Sequence, residues 1–161
     1  MKTGLLVIGY GNTLRSDDGV GPRVVEAVGA LQLPGVRTLI CQQLSPEHAE
    51  PISQADKVIF VDAAVDAAKE VQFRKLEPNE SSQIMTHAAD PRTMLALARD
   101  AFGHAPEAWW LTIPAVQLGF GEELSPETEA GFREAVGRIQ ALARQFCRAE
   151  DNKCKAAANP G

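Results

Sequence analysis

Apolar residues along this chain follow two rhythms. Short unbroken runs, Leu5-Leu6-Val7-Ile8, Val58-Ile59-Phe60-Val61 and the stretch Ala108 to Ile113, have the length and continuity of parallel strands covered on both faces. Val36 to Cys41 adds a strand, and Lys57 to Val61 forms the next, ending at Asp62. Glu70 to Leu76 alternates instead, through Val71, Phe73 and more weakly Lys75, as a half-exposed edge strand does. Between these runs the spacing becomes helical. Val24, Val28 and Leu31 fall on one face of a helix over Val20 to Leu31. Met94, Leu95, Ala98, Ala101 and Phe102 do the same in a helix opened by Asp90-Pro91, and Phe132, Val136, Ile139, Ala143 and Phe146 in a long one opened by Ser125-Pro126-Glu127. Ser45-Pro46-Glu47 carries the same signal of cap, first-turn proline and first-turn acid, so a short helix should follow it.

Strands alternating with helices predict an α/β fold: an open, mostly parallel twisted sheet with helices on both faces and an antiparallel edge strand. Residues 1–149 should make a single α/β domain. From Glu150 the chain turns polar and then rich in Ala, Asn, Pro and Gly, which suggests a flexible tail over 150–161. In such sheets ligands bind beyond the carboxyl ends of the strands, where strand order reverses. If the first and third strands are central neighbours, the loop after the first and the end of the third share that crevice.

Charge and cysteine content narrow the setting. A net charge of −5 without a Lys/Arg cluster excludes nucleic acid and anionic membrane as default partners. No apolar run approaches the roughly 20 residues that span a bilayer, and Met1-Lys2-Thr3 leads straight into a strand, so no signal peptide is expected. The three cysteines, Cys41, Cys147 and Cys154, are odd in number and widely spaced, which fits neither a disulfide framework nor a zinc site. The expectation is a reduced, cytoplasmic monomer.

Chemistry concentrates in Gly9-Tyr10-Gly11-Asn12-Thr13-Leu14-Arg15-Ser16-Asp17-Asp18-Gly19, between a strand and a helix. Glycine loops there often hold phosphate. Here Leu14 replaces the third glycine of the dinucleotide fingerprint, and no Gly-Lys-Ser/Thr follows. Asp17 and Asp18 would repel a phosphate but attract a metal ion or cap the helix. Either aspartate suits the cap, whose loss costs ~1 kcal/mol. Asp62, at the end of a buried strand, is seldom placed for packing, although a cap or a turn would also use it. Among the histidines His48, His87 and His104, His87 stands in a loop before a capped helix and can fold back over the crevice. Two carboxylates and an imidazole suit nickel, zinc, iron or cobalt, and three ligands leave coordination positions open. Serine nucleophiles lack a Gly-x-Ser-x-Gly elbow. Cys41, at a strand end, is ordinary core material or, less readily, a nucleophile.

These residues carry a family resemblance. The glycine and aspartate loop continued through Val20-Gly21, Val58-Ile59-Phe60-Val61-Asp62-Ala63, His87, and Leu118-Gly119-Phe120-Gly121-Glu122-Glu123-Leu124-Ser125 together resemble the hydrogenase maturation proteases, over residues 4 to about 145. The resemblance implies a parallel α/β endopeptidase that trims the C-terminus of a nickel–iron hydrogenase large-subunit precursor after nickel insertion. It places metal-binding and catalytic roles on Asp18, Asp62 and His87, with nickel supplied by the precursor and other divalent ions able to substitute in vitro. Gln42-Gln43-Leu44-Ser45-Pro46-Glu47 stands where many relatives carry a Gly-Thr segment, and looks like the subset serving soluble, bidirectional or NAD-linked hydrogenases. A non-catalytic chaperone that inspects a metallocentre and a small-molecule hydrolase on a related scaffold are the competing readings.

Overall fold

The fold was obtained as a computed structural model, and the structure describes residues 3–65, 69–80 and 90–158. Five strands, β1 (Thr3–Tyr10), β2 (Val36–Cys41), β3 (Ala55–Ala64), β4 (Gln72–Leu76) and β5 (Glu107–Pro114), form one sheet in the order β2-β1-β3-β5-β4. All pairings are parallel except β4 with β5 at the edge. The helices are α1 (Val20–Ala30), α2 (Ala49–Ser53), α3 (Pro91–Phe102) and α4 (Pro126–Ala158).

Period-two alternation in the strands divides the core into two layers. Leu5, Val7, Ile59, Val61, Leu111 and Ile113 face α1 and α4, where they meet Val24, Val28, Ala135 and Ile139. Leu6, Ile8, Tyr10, Val58, Phe60 and Ala108 face α2 and α3, against Ile52, Met94, Leu95 and Ala98. Trp109 lies in the first layer between the rings of Phe73 and Phe146, at 6.0 and 5.6 Å, while Trp110 packs on the second. The neighbouring tryptophans are thus sheet packing on opposite faces.

The strand register puts the crevice where the sequence suggests. β1 and β3 are adjacent and central. The chain crosses from β1 to β2 on one side, then places β3 on the other side, so strand order reverses between them. Backbone and helix touch there without intervening side chains. A Cβ on Gly9 would lie 2.3 Å from the Gly21 carbonyl oxygen, and one on Gly21 would lie 2.5 Å from that of Val61. Both positions require glycine because α1 is seated directly on β1 and β3.

Several boundaries differ from the sequence expectations. β3 runs through Asp62 to Ala64, because parallel pairing with β5 continues to Ala64↔Pro114. Ala101 and Phe102 are exposed, Phe102 by 49 %, since the α3 stripe leaves the sheet at its last turn before the left-handed Gly103. Leu31 is likewise exposed, at the C-terminus of α1. The helix expected to stop near 149 continues as α4 to Ala158. Residues 148–154 are solvent-exposed, so this part of the helix gains little packing and relies on helix propensity. No helix among the described residues is long and apolar enough to cross a membrane.

Gly21→Ala should destabilise the fold by about 2–3 kcal/mol, since the clash is with rigid backbone. Urea unfolding of the variant against wild type measures this, and a change below about 0.5 kcal/mol would contradict the close seating of α1.

Candidate active site

The loop between β1 and α1 is folded back on itself. Gly11 has φ +145°, and a Cβ there would lie 2.1 Å from the Asp18 carbonyl oxygen, so only glycine permits the closure. Asn12 turns the chain by accepting from the Leu14 N–H at 2.9 Å. Its own N–H donates to Asp18 Oδ2 at 2.8 Å, which fixes that carboxylate beside the turn. A 3-10 turn, Ser16–Gly19, then leads into α1.

Neither aspartate caps α1. The cap position belongs to Gly19, with no side-chain hydrogen bond. Asp17 instead points into the protein with no solvent exposure. One oxygen accepts from the N–H groups of Val116 (2.9 Å) and Gln117 (2.8 Å) and from the Ser125 hydroxyl (2.8 Å); the other accepts from the Ser125 N–H (2.7 Å). Burial alone would raise its pKa, but these donors overcome it and hold the carboxyl below its usual range. The expected capping role is therefore replaced by a clamp between the loops that follow β1 and β5. Backbone pairing reinforces it: Ser16 N–H donates to Gly121 O (2.8 Å), Gly121 N–H to Leu14 O (2.8 Å) and Asp17 N–H to Gln117 O (3.0 Å). Ser16 Oγ donates to Gly119 O (2.7 Å), and Arg23 donates to the Glu122 carbonyl. Ser125 still opens α4 as expected, accepting from Thr128 N–H at 3.3 Å.

Asp62 projects from β3 on the face shared with Tyr10 and Trp110 and is half-buried. Its Oδ1 accepts from the Ala63 N–H at 2.8 Å. Burial pushes its pKa up to about 6, against the opposing influence of the Tyr10 phenol and the Ala63 N–H; the negative charge of Asp18 adds to the rise. The Asp18 charge, felt at Asp62, puts the two carboxylates in one electrostatic neighbourhood. Each has one oxygen engaged by a backbone N–H and, among the described residues, one without such a donor. Tyr10 is pushed far upward, chiefly by burial and then by Asp62, so the phenol stays protonated beside the carboxylate. Tyr10 Oη and Trp110 Nε1 are buried without a well-formed hydrogen bond among the described residues.

The other candidates separate clearly. His48 closes the turn before α2: its Nδ1 accepts from the Ser45 N–H at 3.0 Å, in a capping box. His104 Nε2 lies 3.2 Å from the Ala55 carbonyl, at the opposite end of β3. Burial pushes the Cys41 thiol up despite a hydrogen bond from the Gln43 backbone, and Glu47 adds to this. A protonated thiol is a poor nucleophile. His87, within 81–89, lies outside the described residues. Among the described residues no group of three or more His, Cys, Asp or Glu side chains could hold a metal ion.

The α/β sheet of this chain is shared with a class of hydrolases among the solved structures that it resembles. These are hydrogenase maturation proteases, which are endopeptidases. Hydrogenase 2 maturation peptidase from a Thaumarchaeota archaeon matches with a TM-score of 0.65 and 26% identity, over 86% of this chain and 97% of that one. The maturating endopeptidase HybD from E. coli matches at 0.65 and 25%, over 88% and 93%. The protease HycI from Thermococcus kodakarensis shares the fold at 0.67 and 23%, over 90% and 93%. No family model matches the chain, and no curated protein matches it in sequence. The resemblance carried by the sequence motifs thus has its counterpart in three dimensions.

Two stability measurements follow. Asp17→Asn should cost roughly 2–4 kcal/mol, because an amide turns its NH2 toward donors that need an acceptor. Asp18→Asn should stay within about 1 kcal/mol, the cost of weakening one exposed-side hydrogen bond. Chemical denaturation ranks the pair, and equal losses would remove the clamp assignment.

Asp62→Asn should act in the opposite sense. With a folded pKa near 6 and an ordinary value of 3.8, the ionised carboxylate weakens the native state. Its neutral form is favourable below about pH 4, and that advantage is lost as pH rises through about 6. The variant should match wild type near pH 4 and exceed it by roughly 1–3 kcal/mol above pH 7. Thermal melts across that range test this, and a gain largest at low pH would overturn it.

Proposed function

We propose that the protein is an endopeptidase that removes the C-terminal extension of a nickel–iron hydrogenase large-subunit precursor after nickel insertion. The observation that supports this reading is the Asp18 charge felt at Asp62 at the β1/β3 edge, in a chain about one-quarter identical to maturation peptidases over most of its length. Two like charges drawn together, each with an oxygen free of backbone donors among the described residues, make a site that a divalent cation would relieve. His87 is the third ligand in this reading. It stands three residues before Asp90, whose charge is felt at Tyr10, and three residues of extended chain reach about 10 Å.

Nickel enters as part of the substrate. Two carboxylates and an imidazole discriminate poorly among divalent ions, so the precursor's own ligands supply the selectivity. A loaded precursor completes the shell and presents its scissile bond to the two acids. Asp62, titrating near 6, is suited to take a proton from an attacking water and return it to the leaving amine. Asp18 stays fixed by Asn12 N–H and holds the positive charge. The Gln42 to Glu47 segment supports a soluble, bidirectional or NAD-linked hydrogenase as the partner. Three free cysteines support a reducing cytoplasm as the setting, with the protease acting as a monomer.

Processing should require nickel-loaded precursor. Asp62→Asn and His87→Ala should each lower the cleavage rate by at least about 100-fold, as removal of an acid–base group does, while retaining the fold. Zinc or cadmium should occupy the site without supporting cleavage. Parallel assays on loaded and nickel-free precursor, read by mass spectrometry of the released peptide, give the test. Equal cleavage of both forms would sink the nickel requirement.

A further inference from the structure

One polar row crosses the face of the sheet that carries Asp62. Register aligns Tyr10 with Asp62 by continuing Ile8↔Phe60 and Gly9↔Val61, and it pairs Asp62 with Thr112 and Thr112 with Gln72. The row behind it pairs Phe60 with Trp110 and Trp110 with Arg74. Below these rows the same face is apolar, through Ile8, Val58, Phe60 and Ala108. A cavity of about 390 Å³ opens over the polar end, lined by Asp62, Thr112, Gln72, Arg74 and Trp110 together with the backbone that follows Asp62. Its size suits one or two amino-acid side chains.

The cavity is polarised. Asp62 stands on β3, and Arg74 on β4 lies two strand spacings across and one row back, about 12 Å away. Among the described residues, neither Arg74 nor Gln72 has a side-chain hydrogen bond or ion pair, whereas the adjacent Lys75 is paired with Glu107 at 3.3 Å. Trp110 Nε1 is a further donor, facing the Tyr10 hydroxyl without a well-formed hydrogen bond. Donors therefore outnumber acceptors at the end away from Asp62. An edge strand needs charge to deter strand pairing, and Lys75 already serves that end on β4. Arg74, on the cavity side, is left for another partner.

We propose that this cavity is a specificity subsite for a substrate side chain within three residues of the scissile bond, and that Arg74 selects an aspartate or glutamate there. The proposal rests on the endopeptidase reading above. With the scissile bond at Asp62, a span of about 12 Å is covered by two residues of extended chain and a long side chain. A carboxylate about 4 Å from Arg74 is attracted about 3 times more strongly than it is repelled by a charge about 12 Å away at equal screening. Gln72 and Thr112 add neutral hydrogen-bonding groups along the way. A lysine in the same place meets the guanidinium and is rejected.

The test uses the full chain and nickel-loaded hydrogenase large-subunit precursor, with the three residues on each side of the cleavage position replaced singly by Glu, Gln and Lys. Wild type should prefer Glu over Lys by about tenfold or more in kcat/KM at one position. Arg74→Glu should reverse that preference at the same position alone, and Arg74→Lys should retain it. Since Arg74 is exposed, these variants should fold as wild type does by circular dichroism. The absence of any Glu preference in wild type, or an unchanged profile in Arg74→Glu, would overturn the subsite. Should wild type cleave no precursor at all, the endopeptidase reading fails, and the cavity is judged by the Trp110 indole N–H signal during titration with N-acetylglutamate methylamide and N-acetyllysine methylamide. A shift with the glutamate compound that Arg74→Glu abolishes supports carboxylate binding. No shift, or the same shift with both compounds, overturns it.

Discussion

A carboxylate that never meets solvent, Asp17, holds the upper edge of this protein together. It takes four hydrogen bonds from Val116, Gln117 and Ser125, so the loop after β5 cannot move without leaving an ionised group buried and unpaired. That loss would cost several kcal/mol, far beyond an ordinary loop contact. The clamp also sustains local strain. Ser16 sits at φ +51°, a left-handed conformation that disfavours a non-glycine residue by roughly 1–2 kcal/mol. It is held there by hydrogen bonds to Gly119 and Gly121. Asp18 follows directly, so the position of the candidate ligand is set by a neighbour that touches no substrate.

At Asp62 the energetics run the other way. The four residues before it, Val58 to Val61, are apolar and buried on both faces of the sheet, and burial raises the cost of the charge. A protein selected only for stability would carry a neutral residue here. Keeping an acid that titrates near 6, next to a second acid, is a local sacrifice that makes sense when the site meets a cation or moves a proton. The protonated Tyr10 beside it lessens the penalty without removing it.

Much of the architecture was legible because strands and helices here obey their periods. The runs at Leu5 and Val58 became central strands, the alternation near Phe73 became the antiparallel edge, and the Ser45, Asp90 and Ser125 signals each opened a helix. Asp18 and Asp62 were legible as neighbours because the glycine loop and the strand-end acid point to one crevice. Asp17 was misread, since sequence cannot separate two adjacent acids at the start of a helix. What decided between them was the direction in which the turn aims each side chain, and Gly11 and Gly121 set that direction from a distance in sequence. One signal was available: Leu124-Ser125 lies in a motif that resembles the family yet supplies none of the three residues to which the resemblance gives metal-binding roles, which fits a loop that serves as the partner of a buried group. The polar end formed by Thr112 and Gln72, with Arg74 one row behind, was invisible for a simpler reason. Each residue reads as ordinary within its own strand, and only the register between strands aligns them.

The same parity rule links packing to chemistry. Along β1, β3, β5 and β4 the even-numbered residues Leu6, Ile8, Tyr10, Val58, Phe60, Trp110 and Leu76 face α2 and α3, while in β2 the odd-numbered Leu39 and Cys41 do so. Asp62, Thr112, Gln72 and Arg74 share that parity, so the cavity that they line opens on one side only. The odd-numbered residues at the same level, Val61, Leu111 and Ile113, seal the other side against α1 and α4. A one-residue slip of β3 against β1 would bury Asp62 in that sealed layer and expose Val61. Gly9 and Gly21 oppose such a slip, because the seat of α1 on the Val61 carbonyl exists in one register only. The glycines that resemble a nucleotide-binding loop thus serve register instead: they fix which face of the sheet receives the acids, and the acids then fix where a cation and its peptide can approach.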